Sequence, residues 1–180
     1  MAVLTINYAD VVKRAATVLV QMYKEAAPSL RQDLLEYHGT AVYNRGPVGV
    51  FYEPYDVELG VGAMRKQVRE AGGLLVSLLN ADTAIYGAEG NAWFRFIHDM
   101  GHMLYVLEFT ADDENKLHNL LWVHYLRHTP SFGKLSKLEQ ELVRMVYDAD
   151  TTGQTNYFTE HGDFPADQTA FAIEYLKERV

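Results

Sequence analysis

The pattern of apolar and polar positions along the chain predicts a mainly α-helical domain. In most segments apolar residues recur every three or four positions, as they do on the buried face of a helix. Asn7, Thr110 and Ser136 stand where a capping side chain would begin a helix, and Glu139 completes a capping box. The predicted helices cover residues 8–26, 29–39, 61–80, 91–108, 110–128, 137–148 and 165–180.

The segments between these patterns are short and carry turn residues. Pro28 is expected to end the first helix, and residues 41–52 are expected to form a small β hairpin with its turn near residues 44–47. Residues 149–164 are polar and predict a loop. The expected fold is a single compact helical domain of about six or seven helices. Residues 1–60 would hold the first helices and the hairpin, and residues 61–180 the helical core.

Composition and charge narrow the possible functions. The formal net charge is −8, which argues against general nucleic-acid binding through phosphate contacts. The chain has no cysteine, so any metal must be held by His, Asp or Glu side chains. The sequence shows no secretory signal pattern and no apolar run of bilayer-spanning length, so we expect a cytoplasmic protein without a membrane partner. Its oligomeric state does not follow from the sequence.

A polar stripe on an otherwise apolar helix is the main candidate for chemistry. Arg95, His98, Asp99 and His102 are spaced three or four residues apart, so they share one helix face. Unpaired polar groups are costly to bury, so these side chains need partners or a ligand. Two histidines one turn apart can bind one metal ion, and Asp99 could orient them, bind the ion or act as a base.

The next helix offers a second pair of ligands. Glu114 and His118 are one turn apart, and the short connection between the two helices predicts that they are neighbours. A single histidine on an apolar helix is more often a hydrogen-bonded core residue than a ligand, but two such pairs favour a metal site. The expected ligands are His98, His102, Glu114 and His118. These residue types suit Zn, Fe or Mn.

Four polar residues near the end of the chain are secondary candidates. Asp148 and Asp150 could supply a distal acid to the site, or could serve ordinary helix-end and turn chemistry. Gln154 and Asn156 could bind substrate through their amides, or could form a turn around Gly153.

Residues 97–102, with the sequence IHDMGH, resemble the His-Asp core of the HD metal-dependent phosphohydrolases. That family binds metal through an upstream histidine, the His-Asp pair and a distal aspartate. The resemblance implies that His98 and Asp99 are ligands and that Asp148 or Asp150 is the distal acid. The same segment is similar to the HExxH motif of metallopeptidases, with Asp99 in the place of the general-base glutamate.

A longer pattern is similar to a group of uncharacterised phage-encoded proteins. It combines FRxxHDxxH at residues 94–102, a later glutamate and a Gly-Gln pair at residues 153–154. The similarity implies a phage origin, and therefore the host cytoplasm as location, but no particular activity. The shared site that it implies consists of Arg95, His98, Asp99, His102, Glu114, Gln154 and Asn156.

These observations lead to one main expectation and several alternatives. The main one is a metal-dependent hydrolase of a phosphoester or nucleotide, with Asp99 as base and Arg95 neutralising the anionic substrate. A non-haem iron oxygenase or an HDxxH metallopeptidase would use the same ligands. A non-enzymatic phage virion or host-takeover protein, such as an inhibitor of a host protein, would instead use the polar stripe as a buried hydrogen-bond network.

Overall fold

The computed structural model describes residues 6–51, 60–83 and 85–180. Within these ranges seven helices have eight or more residues, and one pair of short strands forms the β structure. The predicted mainly α fold with a small β element is therefore confirmed. In chain order the elements are α1 (Tyr8–His38), β1 (Val48–Val50), α2 (Gly60–Ala71), β2 (Leu75–Ser77), a 3₁₀ turn (Ala81–Thr83), α3 (Gly87–Tyr105), α4 (Ala111–His124), a second 3₁₀ turn (Leu126–His128), α5 (Pro130–Gly133), α6 (Lys137–Asp148), a π-helical turn (Ala149–Gly153), α7 (Gln154–His161) and α8 (Gln168–Lys177).

Helix α1 is the central element, because it packs on α3, α6 and α8. As predicted, the side chain of Asn7 caps its first turn, and Gly39 ends it in the left-handed conformation with φ 61°. The predicted break at Pro28 is wrong, since Pro28 lies inside α1. It is exposed, so the carbonyl that loses its amide donor can be hydrated, while the buried face continues through Leu30 and Leu34.

The predicted β hairpin within residues 41–52 is wrong in its pairing. Strand β1 falls inside that range, but it pairs in parallel with β2, which follows α2. The Asn44 side chain explains the difference, because it hydrogen-bonds both the amide and the carbonyl of Leu74. This contact lays the segment alongside the residues after α2 instead of folding it back on itself. Residue 52 lies outside the described residues.

The predicted loop over residues 149–164 is also wrong, because the π-helical turn and α7 occupy most of it. Gly153 permits this arrangement: a Cβ atom there would lie 3.1 Å from the Tyr175 ring and 3.3 Å from the Phe171 ring, both from α8. Close packing therefore stabilises helical structure that the polar sequence does not favour. Helix α8 begins later than predicted, at Gln168, while the capping box of α6 is confirmed.

Helices α3 and α4 pack against each other through a glycine, and this contact positions the candidate site. A Cβ atom at Gly101 would lie 2.8 Å from Leu117 and 3.1 Å from Leu121, both buried on α4. The missing side chain lets the two helices approach closely. His98 lies one turn before Gly101 on α3, and Glu114 lies about one turn before Leu117 on α4. The two side chains consequently face each other where the helices are close.

Candidate metal centre

His98 and His102 of α3 and Glu114 of α4 form a compact group, here called the His–Glu cluster. Each residue offers one ligand atom, and these atoms lie within 4.8 Å of one another. Glu114 contacts both histidines: Oε2 is 2.8 Å from Nε2 of His98, and Oε1 is 3.2 Å from Nε2 of His102. An ion bound tetrahedrally at about 2.0–2.1 Å spaces its ligand atoms about 3.3 Å apart. The cluster could therefore hold a metal ion.

The environment of His102 determines which of its ring nitrogens can bind a metal. Its Nδ1 lies 2.8 Å from the carbonyl oxygen of Leu107, which can only accept, so Nδ1 carries the proton. In the neutral ring Nε2 then has a lone pair, and this fully buried atom has no hydrogen-bond partner among the described residues. A buried lone pair that faces the carboxylate of Glu114 is unfavourable unless a proton or a cation lies between them.

A strained turn holds the Leu107 carbonyl in place. Val106 ends α3 in the left-handed conformation, with φ 54° and ψ 49°, and the amides of Val106 and Leu107 both bond to the carbonyl of His102. A β-branched residue is rarely found there, because its side chain crowds the backbone. Local strain therefore accompanies the hydrogen bond that orients His102.

Val106→Gly is expected to raise the free energy of unfolding by about 1 kcal/mol, because glycine adopts this conformation without strain. The Val106 side chain is 55% exposed, so its loss removes little packing. Urea denaturation of both proteins measures the difference.

The matched control is Val123→Gly, since Val123 is an exposed valine within α4. This variant should lower the free energy of unfolding by about 0.5 kcal/mol, because glycine has a lower helix propensity than valine. A loss of stability in both variants would contradict strain at Val106.

His98 is held between two carboxylates. Its Nε2 donates to Glu114, and its Nδ1 lies 3.4 Å from Oδ1 of Asp99. Burial alone lowers the pKa of His98, but Glu114 and Asp99 outweigh this effect and raise it above its usual value. Burial would likewise raise the pKa of Glu114, but His98 and His102 hold it well below the usual range. Asp99 is thus placed to orient His98, as carboxylates commonly do for metal-binding histidines.

His118 lies beside the cluster without completing it. Its Nε2 is 3.5 Å from Oε2 of Glu114, and its buried Nδ1 has no hydrogen-bond partner in the described part of the chain. Burial and the neighbouring His98 lower the pKa of His118 to about 3, so its ring is neutral at pH 7. Two histidines and one carboxylate therefore form the tight group, with His118 as a neutral neighbour.

A cavity of about 1110 Å³ opens beside the cluster and brings several predicted site residues together. His98, Glu114 and His118 line it, as do Arg95 and Asp99 from α3. Arg95 donates to the carbonyls of Ser77 and Leu79 and to the side chain of Asn91. These bonds use three of its five N–H groups. No described carboxylate lies within ion-pair distance of Arg95, so its positive charge is available to the cavity.

The secondary candidates divide into two pairs. Asp150 and Gln154 line the cavity and hydrogen-bond each other at 2.9 Å. Asp148 instead pairs with Arg144 at 2.8 Å and lies outside the cavity lining. Asn156 is exposed and bonds Asn115. The structure therefore does not bring Asp148 or Asn156 to the site that the sequence predicted for them.

Two contributors were missed by the sequence analysis. The Leu107 carbonyl is a backbone group in a turn, and no sequence signal identifies it. Tyr86 lines the cavity and lowers the pKa of Asp150, but it is separated from the polar stripe by the first two turns of α3. Only packing brings it to the site.

The chain matches no family model, no curated protein and no solved structure. None of the helices in the described ranges combines the length and the apolar character needed to cross a bilayer. The proposed function therefore rests on the chemistry of the cluster and its cavity.

Proposed function

We propose that this protein is a metal-dependent hydrolase of phosphoesters, with His98, His102 and Glu114 as the ligands of one divalent ion. The observation that carries the proposal is the fully buried Nε2 of His102, which lies 3.2 Å from Oε1 of Glu114 but forms no hydrogen bond with a described residue. A metal ion bound at this point would accept the lone pairs of both groups. Two histidines and a glutamate are a ligand set of catalytic zinc, which keeps an open position for water or substrate.

The surroundings of the cluster favour hydrolysis over a purely structural role. The three-ligand group borders a cavity large enough for a small-molecule substrate. When bound, a divalent ion lowers the pKa of a coordinated water to about 7 and polarises a phosphoryl oxygen. Arg95 adds positive charge for an anionic substrate, and Asp99 either orients His98 or accepts a proton.

The experiment is a hydrolysis assay with p-nitrophenyl phosphate and bis-p-nitrophenyl phosphate. The protein is reconstituted in turn with Zn²⁺, Mn²⁺ and Fe²⁺. We expect turnover that a chelator abolishes, and a decrease of about 100-fold in kcat for Asp99→Asn. Absence of turnover with every metal and both esters would contradict a phosphoesterase.

A second candidate, a non-haem iron oxygenase, is favoured by the same ligand set. Two histidines and one carboxylate with open positions also bind Fe(II) in oxygenases. Iron as the co-purified metal, with an optical band that changes on exposure to air, would favour this function. Zinc or manganese would favour the hydrolase.

A further inference from the structure

The wall of the cavity formed by the π-helical turn carries a buried carboxyl group. Asp150 accepts a hydrogen bond from Nε2 of Gln154 at 2.9 Å, and the Tyr86 hydroxyl is close enough to favour its ionised form. The Tyr86 hydroxyl in turn accepts from Tyr23 at 2.8 Å. Burial raises the pKa of Asp150 to about 7, although Tyr86 and Gln154 oppose this shift.

This carboxyl group has unused capacity to accept hydrogen bonds. A carboxylate offers about four lone pairs, of which the hydrogen bond from Gln154 uses one. No cation of the described residues lies within ion-pair distance of Asp150, and no neighbouring charge contributes to its pKa. The Oε1 atom of Gln154 also makes no hydrogen bond to a described residue. Two acceptors thus face the cavity, and a ligand would have to supply the donor.

Aromatic side chains line the same cavity. The rings of Tyr86 and Phe94 have their centroids 6.0 Å apart. Phe158 and Phe164 contact each other at 4.9 Å, and both are about half exposed. Exposed aromatic faces in a polar cavity are suited to stacking on flat heterocycles.

The cavity lining thus combines two kinds of polar group. His98 and Glu114 of the His–Glu cluster line it together with Arg95, and a metal ion bound at the cluster would add positive charge. Asp150 and Gln154 line it as well and offer hydrogen-bond acceptors. A matching ligand has an anionic group, a flat ring and a hydrogen-bond donor on that ring.

We infer that the substrate is a nucleotide whose base carries an amino group, read by Asp150 and Gln154 while its phosphate binds at the metal. The inference rests on the proposed function for the phosphate end. Adenine, cytosine and guanine present an exocyclic amino donor, whereas uracil presents a carbonyl oxygen at the position where cytosine has its amino group. Asp150 and Gln154 are therefore specificity-determining residues.

The test measures the binding of CMP and UMP to the Zn²⁺-reconstituted protein by isothermal titration calorimetry at about pH 8, where Asp150 is mostly ionised and can only accept. These ligands differ in the group that we assign to Asp150. We expect CMP to bind at least about tenfold more tightly than UMP. The amide introduced by Asp150→Asn can donate to uracil, so this variant should lose or reverse the preference. Asp148→Asn is the matched control, because Asp148 lies two residues before Asp150, at the end of α6, and outside the cavity lining. It should keep the preference.

Four further ligands distinguish a failure of base recognition from a failure of the proposed phosphoesterase function. Ribose 5-phosphate and phosphoethanolamine test the phosphate end, and cytidine and uridine test the base end without phosphate. Equal binding of CMP, UMP and ribose 5-phosphate, or of CMP and phosphoethanolamine, would overturn base recognition and leave the phosphoesterase intact. Binding of cytidine over uridine, with no binding of any phosphate compound, would support base recognition and contradict the proposed function. No binding of any ligand would overturn both.

Discussion

Glu114→Gln is expected to abolish metal binding while the protein remains folded. Wild-type protein should carry about one divalent ion per chain, as expected for a site with two histidines and one glutamate. The carboxylate contacts both histidines, and its replacement by a neutral amide removes both the negative charge and one ligand. Substitution of residues that only hydrogen-bond a metal ligand already weakens metal affinity by about 10–100-fold. Loss of a ligand itself should therefore weaken the affinity by more than about 100-fold. Elemental analysis and competition with a chromophoric chelator measure it.

His124→Gln is the matched control, because His124 is an exposed histidine on the same helix and lies outside the His–Glu cluster. It should retain the ion. The element found would decide between the hydrolase and the oxygenase. If folded wild-type protein binds no ion even after reconstitution, the cluster is a hydrogen-bond network. The alternative of a non-enzymatic binding protein would then be favoured.

The metal-free protein should gain most stability from Glu114 between about pH 4.5 and 6.5. The folded pKa of Glu114 is lowered, so its contribution is complete above its unfolded pKa and is lost as the pH falls below that value. The folded pKa of His98 is raised, so its contribution is complete below its unfolded pKa and is lost as the pH rises further. Within this window the ion pair should contribute on the order of 3 kcal/mol.

The measurement compares the unfolding free energy of chelator-treated wild-type and Glu114→Gln proteins from pH 3 to pH 9. The difference between the two proteins removes most of the contribution of other titrating groups, such as Asp150. It should be largest within the window and should decrease on both sides. A difference that does not change with pH would mean that Glu114 acts through packing rather than charge.

Helix-capping residues and periodicity predicted the helical elements best. Asn7, Ser136 and Gly39 act locally, through hydrogen bonds or backbone conformation, so their effects can be read from neighbouring residues. The pairing of β1 could not be predicted from neighbouring residues, because its partner strand β2 follows α2 in the chain. The π-helical turn could not be predicted from neighbouring residues either. It depends on the absence of a side chain at Gly153, where the rings of α8 pack closely.

The same distinction applies to the candidate site. The spacing of His98 and His102 placed them on one face of α3, and the spacing of Glu114 and His118 did so on α4. That the two faces meet depends on the close helix contact at Gly101, which periodicity does not reveal. The sequence grouped Asp148 with Asp150, but their contacts separate them, because residues two apart on a helix point in different directions.

The sequence by itself determined the mainly α class, the absence of cysteine ligands and the two ligand-bearing helix faces, because composition and helical spacing are local properties of the chain. Only the tertiary structure decided the rest. It placed Glu114 between His98 and His102 and left His118 beside them. It also oriented His102 through a strained turn and brought Asp150 to the cavity. These features arise from contacts between residues distant in the chain and from backbone groups, neither of which residue spacing encodes.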